Sequence, residues 1–108
     1  MDTELAKVEA AQIVADLGIA SVPADWHGCD AVWPALEKMA TEGSTVVIKI
    51  DGERRGEDDN GRYTVVVSGG PLGENFFRID VSNLEEGLAK AILHFAQTTW
   101  GRKGPKEA

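Results

Sequence analysis

Three short stretches alternate in side-chain character one residue at a time, and they follow one another directly along the chain. From Thr45 to Asp51 the set Val46, Ile48, Ile50 alternates with Thr45, Val47, Lys49. Tyr63, Val65, Val67 alternate with Arg62, Thr64, Val66 from Arg62 to Ser68, and Phe77, Ile79, Val81 with Phe76, Arg78, Asp80 from Phe76 to Val81. A period of two with β-branched content marks strands. The linkers, residues 52–61 and 68–74, are rich in Gly, Asp, Asn and Pro, so consecutive strands are expected to reverse direction. A three-stranded antiparallel meander is the result, and it needs helices to cover its apolar face.

Those helices are visible on either side. From Thr3 to Leu17 the side chains Ala6, Ala10, Ile13, Val14 and Leu17 share one helical face, with Lys7, Glu9 and Asp16 outside it; Asp2 or Thr3 caps the start and Gly18 the end. Residues 18–30 lack a period and read as a connector anchored by Ile19, Val22 and Trp26. A second helix runs to Glu42 from either Ala31 or Pro34, since a proline is costless at the first helical position and disfavours helix at the residue before it. Its buried stripe is Leu36, Met39 and Ala40. The last helix opens at Ser82 or Asn83, where Ser82 and Glu85 have capping-box spacing, and runs to about Thr99 with Leu84, Leu88, Ala91, Ile92 and Phe95 on one face. Gly87 within it implies close approach to the sheet, and Leu93 with Trp100 forms a second apolar patch. The expected fold is α+β in two layers, order ααβββα, with the helices on one face of the meander. Residues 1–101 form its single domain and residues 102–108 a disordered basic tail.

Aligning the apolar faces sets an expected register. With Ile48 opposite Val65 and Val65 opposite Phe77, the outer face carries a row Val47, Val66, Phe76 beside a row Lys49, Thr64, Arg78. An apolar strip flanked by cations on an open sheet face is a candidate partner surface, unless the first helix or the tail folds over it.

Charge narrows the partners. The 108 residues hold 18 acids and 11 Lys plus Arg, a net charge of -7, and residues 1–45 contain eight of the acids with two bases. Phosphate neutralisation needs a basic stripe, so direct binding of nucleic acid is not expected; a partner protein with a basic surface is. The loop from Asp51 to Gly61 concentrates Glu53, Glu57, Asp58 and Asp59 with Arg54 and Arg55, and lacks the alternating oxygen spacing of a calcium loop. It reads as a solvated hairpin loop or as an acidic finger for a basic surface. The segment Ser68 to Glu74 joins two strands and carries no Lys-Ser or Lys-Thr, so Gly69 and Gly70 serve a turn and not a phosphate.

His27, Cys29 and Asp30 alone resemble nucleophilic chemistry, but nucleophile and base so close in sequence rarely align and no third group orients them. No catalytic residue, metal ligand or cofactor is expected. One cysteine and an acid-bearing first twenty residues, with no apolar run long enough to span a bilayer, lead to the expectation of a cytoplasmic protein without membrane attachment. In profile, though in no motif, the chain is similar to small immunity proteins, antitoxins and phage anti-defence proteins such as anti-CRISPR inhibitors. That implies a non-enzymatic inhibitor blocking a basic surface. The alternatives are a small enzyme or ligand-binding domain with a pocket between helices and sheet, and a homodimer joined by a strand edge or by the Leu93 and Trp100 patch.

Overall fold

Each alternating stretch forms its strand: β1 Thr45–Ile50, β2 Tyr63–Ser68 and β3 Phe77–Val81. They make one antiparallel sheet in the order β1-β2-β3. With α1 Thr3–Asp16, α2 Gly28–Thr41 and α3 Leu84–Thr98 the element order is ααβββα, an α+β fold. This computed structural model describes residues 2–53 and 61–101, and the expected basic tail at 102–108 lies outside the described residues. No described helix is long and apolar enough to cross a membrane.

The core is organised by α3. Its Asn83 cap accepts from the Glu86 N–H, and its sides meet different elements. Toward the sheet, Gly87 leaves so little room that a Cβ there would lie 3.0 Å from methyls of Val65 and Val81. Leu88, Ala91, Ile92 and Phe95 are fully buried. On another side α3 packs against α1, whose main support is this helix. Small residues, Ala6, Ala10 and Ala11 on α1 and Ala89 and Ala96 on α3, are all buried, so the two backbones can approach closely.

Two expectations for α1 fail. Lys7, placed outside the apolar face, is only 5% exposed, and Leu17, placed within it, is exposed. The connector brings Trp26 over this helix; its indole N–H donates to the Lys7 carbonyl (3.1 Å), and the Lys7 ammonium lies 5.7 Å from the ring centroid. A cation over an indole face keeps a favourable contact under cover, which helical periodicity alone does not anticipate.

The second patch of α3 is also taken up. Leu93 is 7% exposed. Trp100 is half-buried, packed at a tilt of 58° against Phe95 (centroids 4.8 Å) with its N–H shared by both Glu42 carboxylate oxygens at 3.0 and 3.1 Å. Lys38 pairs with Glu42 at 2.9 Å and sits 5.7 Å from the Trp100 ring, closing the end of α3 onto the end of α2.

The register of β1 on β2 is as expected, with Ile48 opposite Val65. Between β2 and β3 it is displaced by two residues: Val65 faces Ile79, and Phe77 faces Val67. A two-residue slip keeps every side chain on its own face, so alternation is blind to it. The linker decides. A 3-10 turn, Gly70–Leu72, tucks Leu72 into the core, and Gly70 (φ 58°) passes so close that a Cβ would lie 2.6 Å from the Gly43 carbonyl carbon. Ser44 donates its hydroxyl to the Gly69 carbonyl at 2.8 Å, fastening the turn to the start of β1. The outer rows are therefore Val47, Val66, Arg78 and Lys49, Thr64, Asp80, while Phe76 precedes the strand.

Candidate functional site

α2 is longer than its own sequence suggests. Pro34 lies inside it and lacks the N–H that would reach the Asp30 carbonyl, but both residues are on the exposed side, where water can satisfy that oxygen. At the start, the His27 side chain makes no capping bond. The cap comes from another helix: a Glu85 carboxylate oxygen accepts from the Gly28 N–H at 2.7 Å. Within this helix Trp33, Leu36, Glu37 and Ala40 fall in one row.

That row faces the inner side of β1. Together with Val46 and Ile48 it lines an open apolar groove of about 210 Å³. Trp33 is 49% exposed on one wall, and Ile50, 64% exposed, continues the inner face of β1 past the end of the groove. Glu37 is the only ionisable lining residue, and its carboxylate has no partner among the described residues. The groove exists because α2 covers only part of the strand at the edge of the sheet, leaving space where a fourth strand would bring side chains.

The backbone of that edge is as informative. The Asp51 N–H donates to the Arg62 carbonyl at 2.7 Å, and in an antiparallel ladder alternate residues point to the partner. Lys49, Val47 and Thr45 therefore turn their amides toward β2, and Val46, Ile48 and Ile50 turn theirs outward. Among the described residues nothing accepts from or donates to these three outward groups. The residues that line the groove also present the open hydrogen-bonding edge.

The residues expected to meet a partner are spread elsewhere. On the outer face Val47 is 47% exposed and Val66 half-buried, so the strip is two valines and not three apolar residues. Phe76, 60% exposed, stands beyond the strand. The flanking cations are partly spent within the molecule, Lys49 beside Asp51 at 3.7 Å and Arg78 beside Asp80 at 3.6 Å. Glu53 is exposed and its N–H turns back to the Asp51 carboxylate at 3.0 Å. Glu57, Asp58 and Asp59 lie outside the described residues. No sequence signal singled out Glu37 or Ile50. Trp33 shares helical spacing with Leu36, Glu37 and Ala40 in the sequence, but that spacing does not say which element the row faces.

His27, Cys29 and Asp30 sit at the first turn of α2, with Cys29 half-buried and the other two exposed. Burial pushes the Cys29 thiol up, and the Asp30 charge adds to it, so the thiolate is disfavoured. Among the described residues no three His, Cys, Asp or Glu side chains gather as a metal centre would require.

The acid beneath this turn has a structural role that pH can expose. Burial works against the charged Glu85 carboxylate, but hydrogen bonds from the Gly28 N–H and its own N–H, with His27 and Lys7 nearby, outweigh it and hold the pKa below the ordinary glutamate value. Glu86 is likewise lowered, chiefly by the hydrogen bond from Lys90. A carboxyl with a depressed folded pKa contributes stability that is present above its unfolded pKa and lost as pH falls through the folded one. Thermal stability is thus expected to fall as pH drops below about 4.5. Glu85→Gln should cost about 1 kcal/mol at neutral pH and flatten this dependence. Thermal melts across that range check it; identical slopes for variant and wild type would remove Glu85 as the cap of α2.

Comparison with protein-family models, with curated proteins and with solved structures finds no match to this chain.

Proposed function

We propose that this chain is a small, acidic, cytoplasmic, non-enzymatic protein-binding protein that inhibits its partner by covering a basic surface. The observation that supports this reading best is the groove between α2 and β1. Exposed Trp33 and Ile50 flank it, one acid lies in its wall, and the chain around it bears a net charge of -7. Aromatic anchors beside apolar depressions are where binding energy concentrates, and an acidic field speeds encounter with a basic partner. The outer face, with Val47, Val66, Lys49, Arg78 and the nearby Phe76, serves as a second contact.

The test is capture from the source cells with the tagged chain, repeated with Trp33→Asp and Phe76→Asp. The expected result is one stoichiometric protein, released by raised salt, lost with Trp33→Asp and weakened with Phe76→Asp. A partner retained equally by both variants, or no stoichiometric partner at all, overturns the reading.

A further inference from the structure

We infer that the groove takes an extended, arginine-bearing segment of the partner as a fourth strand, hydrogen-bonded to the free edge of β1. This rests on the protein-binding reading and specifies how the contact is made. Strand addition needs an open row of backbone groups and adjacent pockets for alternate side chains, and here both belong to the same residues. Val46, Ile48 and Ile50 turn their N–H and carbonyl groups outward and their side chains to the inner face, where α2 supplies Trp33, Leu36, Glu37 and Ala40.

Geometry limits the segment. From Trp33 to Ala40 the helix rises roughly 10 Å, and from Val46 to Ile50 the open strand edge spans roughly 13 Å, so about four residues of an added strand pair along the groove and just past its end. About two of their side chains point inward. Apolar residues suit the wall formed by Leu36, Ala40, Val46 and Ile48. Opposite Glu37 and Trp33 the matching side chain is arginine, whose stem is apolar, whose planar head forms paired bonds to a carboxylate, and whose charge is attracted to an indole face.

Charge also decides against a second copy as the occupant. Two β1 edges paired about a two-fold axis normal to the sheet would place both α2 helices on the same side of the seam. Both acidic groove walls would then lie on one side of the seam, in bodies that each carry -7. Lys49 cannot relieve this, because its side chain is on the opposite face of β1.

The experiment uses the full chain and synthetic peptides with Val, Arg and Val at alternate positions and Thr between, followed by fluorescence anisotropy. A version with Glu for Arg should bind at least about tenfold more weakly, and Glu37→Arg should reverse that order. Two further versions carry N-methyl groups on alternate residues, one in each phase. One phase blocks the bonds to β1 and should abolish binding, while the other leaves it unchanged. In amide exchange, Val46, Ile48 and Ile50 should be fast in the free protein and slowed by the peptide, whereas Val47 and Lys49 are slow in both.

Equal binding of the two N-methylated peptides overturns strand addition and leaves the groove as a side-chain contact. Absence of binding by any peptide overturns it too; the protein-binding reading then stands or falls separately on whether Trp33→Asp loses the captured partner.

Discussion

Phe95→Ala is expected to remove about 3–5 kcal/mol, a fifth or more of what a domain of this size usually possesses. Phe95 is the largest of the fully buried side chains, on the helix that touches α1, α2, β2 and β3. Truncation of a fully buried ring leaves a cavity, and the cost grows with the volume that the neighbours do not fill. It also removes the ring against which Trp100 packs, and that indole ties α3 to Glu42 at the end of α2. Urea unfolding should show the lower midpoint, and the native emission should move to the red as Trp100 gains solvent. A variant with wild-type stability would mean that α3 is not where the core is joined.

Gly61→Ala is expected to be nearly as costly, about 3 kcal/mol or more, although it adds a single methyl group. Gly61 has φ 106°, a conformation that side-chain-bearing residues rarely adopt. Its new Cβ would lie 2.2 Å from the Val81 carbonyl carbon, 2.3 Å from its oxygen and 2.5 Å from the Ser82 nitrogen. These are backbone atoms, so no change of rotamer relieves the clash; β2 and β3 must separate where Tyr63 faces Val81. Denaturation would report the loss of stability, and loss of cross-strand contacts between Tyr63 and Val81 would place it. Intact contacts at wild-type stability would place Gly61 away from β3.

That close passage explains why the sheet was only half legible. The strands, their order and the pairing of β1 with β2 follow from alternation, and a glycine inside a helix foretold the close approach of α3 to the sheet at Gly87. The pairing of β2 with β3 depends on where the chain is pinned at each end, by Gly61 against Val81 and by Leu72 in the core. Neither pin has a periodic signature. The other departures share this origin. Glu85 caps a helix that begins 57 residues earlier, and Trp26 comes from the connector to cover Lys7, so contacts distant in sequence overrode local rules. The groove was hidden for the same reason: it is the space left by α2 lying over an edge strand, and only the tertiary placement of Trp33 and Glu37 gives it walls.

The position of α3 within the core constrains how the chain acquires it. During synthesis α1, α2 and all three strands are made before the helix that joins them. The hydroxyl of Thr3 meets the Glu86 carboxylate across 83 residues of chain. Until Leu84–Thr98 has been made, the alanine face of α1 and the inner face of the sheet have no common partner. The meander and its contact with α2 can form earlier, but the faces that α3 joins stay uncovered in the nascent chain until that helix arrives.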